Sequence, residues 1–355
     1  MRAFLALLLV AAATAELAPL LKHSEPIPGK YIIKLKDEYD IDEIASAVSL
    51  TGGRVGNKFR RVLRGFAADL SDRVLDVVRS LEAVEYVEQE GVYSAQVTWG
   101  LDRIDQRDLP LDNYYGPRGT GSGYTVWVID TGVRDTHEEF SGRAQQVVNY
   151  AGGENEDCNG HGTHCAGIVG SDSYGVATEV QIRGVKTLNC FGSGSTGGIL
   201  SGCEYVIANA DGNSIASMSV GGGASTSLDD AVSAMIAAGI PTAVSAGGSN
   251  ADACNYSPAR VSAAITVGAT DSSDTRSSSS NYGSCLDIFA PGVSITSTWY
   301  TSDTAIATLS GTSMACPHVA GAIALYGKST EAMLANASND KISDVGESVN
   351  KLLYV

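Results

Sequence analysis

From Tyr124 onward, short and almost unbroken apolar runs alternate with helical stretches built from small residues, and that rhythm leaves few architectures open. The runs Tyr124 to Asp130, Gln181 to Leu188, Ile215 to Val220, Ile240 to Ala246 and Ala263 to Ala269 read as strands. Gly197 to Asn209, Ser227 to Gly239 and Thr312 to Tyr326 have helical spacing. A strand that is apolar along its whole length must be covered on both faces. The expected fold class is therefore α/β, a mostly parallel central sheet with helices on both faces. In such sheets ligands bind beyond the carboxyl ends of the strands, and Asp130 stands at one of those ends.

The chain before this region has a different character. All seven cysteines lie after residue 157, whereas residues 16 to 91 are free of cysteine, rich in charge and poor in glycine. Lys30 to Leu35, Phe66 to Leu70 and Val84 to Glu88 read as strands there, with helical spacing at Ile41 to Leu50 and Ser71 to Leu81. This is a small α+β module, either an independent domain or a folding prosegment. Ahead of it, residues 1 to 15 carry one Arg, an apolar run and Ala13-Thr14-Ala15, the pattern of a secretion signal cleaved before Glu16. The run is shorter than the ~20 apolar residues of a membrane span, so a soluble, extracellular product without a membrane anchor is expected. A formal net charge of -16 argues against a nucleic-acid partner, because phosphate contacts need clustered Lys and Arg. Secretion permits disulfides, and an odd cysteine count leaves at least one thiol free or paired between chains.

Three glycine-flanked segments carry chemistry: Val128-Ile129-Asp130-Thr131-Gly132, Asn159-Gly160-His161-Gly162-Thr163-His164-Cys165-Ala166-Gly167, and Gly311-Thr312-Ser313-Met314-Ala315-Cys316-Pro317-His318. A serine hydroxyl is a weak nucleophile and needs a base within reach, which His161 would supply to Ser313. An imidazole in that role needs a carboxylate to fix its tautomer, and Asp130 would serve. Ser313 at the start of a helix also leaves its own N–H free to donate to a developing oxyanion. Taken singly, Asp130 could be a turn former, His161 and His164 caps or metal ligands, and Ser313 an N-cap. Together, the order Asp, His, Ser is the subtilisin order.

On these segments the chain resembles the subtilisin-like serine peptidases, in their proteinase K branch and near the aqualysin group. The likeness runs from Trp99-Gly100-Leu101-Asp102-Arg103-Ile104-Asp105 to Leu352-Leu353-Tyr354. It implies a secreted, monomeric endopeptidase that hydrolyses polypeptide substrates through an acyl-enzyme. Residues 16–93 would be an inhibitor-type propeptide, the chain's own intramolecular partner, removed by autocleavage near residues 91 to 95. Residues 94–355 would be the peptidase domain.

The resemblance also implies that Ser219-Val220-Gly221 pairs with the substrate backbone, with Gly192 on the opposite rim. It implies a structural calcium held by Asp287 and the carbonyls of Ser262 and Ala264, oxygen ligands that suit this hard cation. Asp102 and Asp105 resemble a second such site or are a solvated acidic loop. Cys158 would pair with Cys190 and Cys254 with Cys285, crosslinks worth roughly 2 to 4 kcal/mol each. Cys165, Cys203 and Cys316 remain over.

Two departures bear on activity. Gly248, in Ala246-Gly247-Gly248-Ser249-Asn250, stands where the family has the asparagine that donates to the oxyanion. The chain after Tyr326 is also about ten residues shorter than the family pattern, which predicts a truncated helix behind Ser313 or a shortened following loop. A working endopeptidase and a catalytically impaired relative that acts by binding are the two readings these features allow.

Overall fold

The computed structural model describes residues 17–22, 26–91 and 97–355. The stretch read as a secretion signal, and residues 92–95 of the expected cleavage region, lie outside the described residues. The chain divides into two compact units, residues 1–95 and 96–355.

The first unit runs β1 (Leu20–Leu21), β2 (Pro26–Leu35), α1 (Ile41–Leu50), β3 (Arg54–Phe59), β4 (Gly65–Asp69), α2 (Asp72–Arg79) and β5 (Val84–Gly91). Its sheet has the order β1-β5-β2-β4-β3, antiparallel except where β1 lies parallel to β5. Asp40 caps α1 by accepting from the N–H groups of Asp42 and Glu43. That helix turns Ile41, Ala45 and Val48 inward, and α2 turns Val74, Leu75 and Val78 inward, onto Ile33, Leu35, Phe66 and Val87. Strand β3 is absent from the sequence reading. It is an exposed edge strand with a register shift between Val55 and Lys58, so it carries no alternating apolar signal.

The second unit begins with α3 (Trp99–Ile104) and β6 (Thr125–Asp130), then β7 (Ala144–Asn149), α4 (His161–Gly170), β8 (Gln181–Lys186), α5 (Thr196–Asn209) and β9 (Ser214–Met218). Next come β10 (Gly222–Gly223), α6 (Thr226–Ala237), β11 (Thr242–Ser245), β12 (Tyr256–Ser257), β13 (Ile265–Thr270) and β14 (Ile288–Pro291). The chain closes with β15 (Ile295–Thr298), β16 (Ile306–Leu309), α7 (Thr312–Leu325), α8 (Thr330–Ala335), β17 (Ser338–Asn339) and β18 (Lys351–Leu352). Nine strands form one sheet in the order β17-β18-β14-β13-β11-β9-β6-β8-β7, parallel throughout except for the last hairpin, β17 with β18.

Alternation along each strand sends side chains to opposite faces. Val126 and Val128 of β6 join Ile182, Ile215 and Val267 in a core with Ile168 of α4 and Val319 and Ile323 of α7. Trp127 and Ile129 face the other way, with Val185, Met218 and Val244 against Val206 of α5 and Val232 and Met235 of α6. Burying each such side chain contributes roughly 1.5–3 kcal/mol, which explains why the strands are apolar on both sides. Helix α7 spans fourteen residues, so the shortness of the C-terminal segment does not fall on the helix that carries Ser313. The helix after it has six.

Candidate active site

Asp130 ends β6, a central strand flanked by β8 and β9, and is fully buried. A carboxylate moved out of water has to be compensated by donors. One oxygen of Asp130 accepts from the Thr131 N–H at 2.7 Å. His161, the first residue of α4, supplies the next donor: its Nδ1 lies 2.8 and 2.9 Å from the two carboxylate oxygens. A carboxylate only accepts, so Nδ1 carries a proton, and in the neutral ring Nε2 is the acceptor. Gly160 precedes it at φ +107, and a Cβ there would stand 2.5 Å from the Trp299 ring, so only glycine fits.

Below this turn lies a residue the sequence reading passed over. The buried Asp157 carboxylate accepts from the Thr131 hydroxyl (2.9 Å), the N–H groups of Asn159 (3.0 Å) and Gly160 (2.9 Å), and both the N–H (3.0 Å) and the hydroxyl (2.5 Å) of Thr163. It binds the Asp130 turn to the start of α4. In sequence it is one acidic residue in a loop, and nothing local distinguishes it.

Ser313 sits in the first turn of α7, where its N–H has no intrahelical partner. Pro317, four residues on, lacks the N–H that would bond the Ser313 carbonyl. That carbonyl instead accepts from the Ser219 hydroxyl at 2.8 Å and the Cys165 thiol at 3.3 Å. The Ser313 hydroxyl donates to the Ser219 carbonyl at 3.4 Å. His161 and Ser313 line one cleft of about 670 Å³ together with Gly192, Ser219, Val220, Gly221 and Gly248.

Gly248 has an ordinary φ, and a Cβ at that position would meet nothing within 4 Å. Asn250, two residues on, is anchored through its carbonyl oxygen: its Oδ1 accepts from Arg276 at 2.9 Å. The loop is held by Asn281, which accepts from the N–H groups of Ser249 and Ala251 and donates to the Ala246 carbonyl.

Burial is the largest single influence on His161 and opposes its protonated imidazole, but the Asp130 carboxylate and Cys165 together overcome it and hold the pKa well above the ordinary histidine value. Burial pushes the Cys165 thiol up, so it stays protonated and acts as a donor. Burial lowers His164 to about 4; the neutral ring donates from Nε2 to the carbonyls of Ile295 and Ala307, which makes it a structural residue. Among the described residues, the one trio of His, Cys and carboxylate side chains close enough to share an ion is Asp130, His161 and Cys165. Their contacts are those of a hydrogen-bonded network.

Cys158 is bonded to Cys190 and Cys254 to Cys285, while Cys165, Cys203 and Cys316 are free and buried. Away from the cleft, Asp287 is pulled beside the start of β13: its Oδ2 accepts from the Thr266 N–H at 2.8 Å and its own N–H donates to the Thr266 carbonyl at 3.0 Å. Burial raises its pKa, with only partial relief from Thr266 and Lys351.

Comparison with known proteins agrees with this geometry. The subtilase family matches residues 121–345. An extracellular serine proteinase of Thermus sp. (strain Rt41A) is 44% identical over 384 residues, covering 97% of this chain and 94% of that protein. Alkaline serine exoprotease A of Vibrio alginolyticus is 47% identical over 89% of this chain, which spans 62% of that relative's length. A solved structure of a cold adapted subtilisin-like serine proteinase superposes with a TM-score of 0.71 at 51% identity, over 73% of this chain and 98% of that one.

The electrostatics make a direct prediction. In an NMR titration the His161 ring protons should move with a midpoint above that of an ordinary histidine, and Asp130→Asn should bring it down, because the raising charge is gone. An unchanged midpoint in a folded Asp130→Asn chain would show that the carboxylate does not control the imidazole.

Proposed function

The chain belongs to the subtilase family and is a subtilisin-like serine protease, and we propose that it is secreted and cuts polypeptides internally through Asp130, His161 and Ser313. The observation that carries this reading is the Asp130–His161 hydrogen bond at the edge of a cleft that His161 and Ser313 both line. In the reaction the Ser313 hydroxyl turns from its long contact with Ser219 to Nε2, which takes its proton as Oγ attacks the peptide carbonyl. The imidazolium, stabilised by Asp130, returns the proton to the leaving amine. Water then repeats the sequence on the acyl-enzyme. The free N–H of Ser313 donates to the oxyanion, and the extended backbone at Ser219, Val220 and Gly221 offers pairing to the substrate chain, with Gly192 on the facing rim.

Residues 16–93 act in this reading as an inhibitor-type propeptide that folds around its own core and is removed near residues 91 to 95. The relatives named as an extracellular proteinase and an exoprotease support secretion and the working enzyme over a catalytically impaired binder. Ser313→Ala should keep the fold, because the hydroxyl fills little space, yet abolish both peptide hydrolysis and precursor cleavage. A Ser313→Ala precursor that matures at the wild-type rate, read by the mass of the secreted protein, refutes the triad.

The oxyanion side is short of one donor. Gly248 carries no side-chain amide at the position where relatives of this type place one beside the serine N–H, and Asn250 is anchored to Arg276 through its Oδ1. A preorganised donor of this kind is worth roughly 10²- to 10³-fold in kcat, the scale known from subtilisin itself. Because a Cβ fits at Gly248 without strain, Gly248→Asn should raise kcat by about that factor with little change in KM. An equal or lower kcat on one peptide substrate would reject the missing donor.

The residues around Asp287 fit a calcium ion in chemistry and in place. The carboxylate is buried with partial compensation, and its pairing with Thr266 sets it beside the segment that holds the carbonyls of Ser262 and Ala264. The ion would be structural, tying β13 to β14. Tm should therefore rise with free calcium and fall in chelator, and Asp287→Asn should abolish the difference. Coincident melting curves of the wild type in chelator and in millimolar calcium would exclude the site.

A further inference from the structure

Lys186 is the last residue of β8 and pairs in register with Asp130 at the end of β6. Its side chain is fully buried. The ammonium donates to the Thr131 carbonyl at 2.6 Å and touches the disulfide sulfur of Cys158 at 3.6 Å. No carboxylate among the described residues lies within ion-pair distance of it. Burying an ammonium with one good acceptor is costly unless the surroundings carry opposite charge. The surroundings do: Asp130 from β6, and Glu156 and Asp157 from the loop before α4, all act on it. Two of these, Asp130 and Asp157, are the buried carboxylates to which His161 and its turn are bonded.

We propose that Lys186 is a positioning residue for the triad, clamping the Asp130–Thr131 turn through the Thr131 carbonyl while its charge offsets the two carboxylates beneath His161. The inference rests on the proposed triad and deepens it. Asp130 and Asp157 repel each other across Thr131, whose hydroxyl bonds one and whose N–H bonds the other. A cation on the third polar atom of that residue, its carbonyl, holds them at one turn without bonding either. The other titratable groups that face His161 are Cys165 and His164 on its own helix; the first is a protonated thiol and the second a neutral ring. Burial lowers the lysine's own pKa, and the three acidic groups oppose that fall.

A clamp alone and a clamp with charge predict different titrations. The test uses the full chain carrying Ser313→Ala, so that His161 is followed by NMR without autolysis and independently of catalysis. Lys186→Met removes the charge and the hydrogen bond; Lys186→Gln removes the charge and keeps a donor for Thr131; Lys186→Arg keeps the charge. Loss of a nearby cation favours the imidazolium. The His161 midpoint should therefore rise by roughly half to one pH unit in the Met and Gln variants and stay near the parent in the Arg variant. In the chain with Ser313 intact, Lys186→Gln should lower kcat by about tenfold and leave KM within about twofold, with the acid limb of kcat moved to higher pH. A folded Gln variant whose His161 midpoint matches the parent overturns the proposal, as does an Arg variant that shifts as far as Gln. Hydrolysis that survives Ser313→Ala would instead break the triad reading itself.

Discussion

A carboxylate buried at the end of a central strand is the demand around which the rest of the second unit is arranged. Asp130 has given up water entirely, and an uncompensated charge in that position would cost several kcal/mol. It is answered by the Thr131 N–H and by an imidazole that must keep its proton on Nδ1 to do so. That requirement fixes the tautomer of the neutral ring, which leaves the lone pair on Nε2, and His161 lines the cleft. The parallel sheet makes the arrangement possible, because it places strand ends, helix starts and their free backbone groups on one edge. Stability and chemistry are met here by the same contacts.

The parts of this arrangement that repeat along the chain are the parts the sequence shows. The central strands are apolar on both faces, so their runs are visible, and the observed bounds differ from the expected ones by a few residues, as at Ile215 to Val220 against Ser214 to Met218. Asp130, His161 and Ser313 stand out because each sits among glycines and small residues where a backbone must bend. Gly248 is conspicuous only beside the family pattern. By contrast β3 and β7 are partly exposed and mixed in character, and no period announces them.

The residues that hold the site together were hidden for a different reason. Asp157 works through five contacts to the Asp130 turn and the start of α4, Lys186 through a carbonyl fifty-five positions away, and the Ser219 hydroxyl through one ninety-four away. Most of their partners are backbone atoms, which every residue possesses, so the side chain alone gives no hint of these contacts. Asp287 is singled out in the sequence only by the family resemblance; its place beside Thr266 is a product of β13 meeting β14.

Pro317 changes what the nucleophile's helix is for. A buried carbonyl without a partner costs about 1–3 kcal/mol, and the proline forces the one on Ser313 to find its partners outside α7. It finds them on Ser219, just past β9, and on Cys165 of α4. Ser313 is thus attached to the wall of the cleft as well as to the helix that bears it. Ser219 itself lines the cleft, so a shift of that wall is passed to Ser313 through the hydrogen bonds between them. Cleft wall and Ser313 form one mechanical piece, joined by hydrogen bonds at the cleft and not through the core.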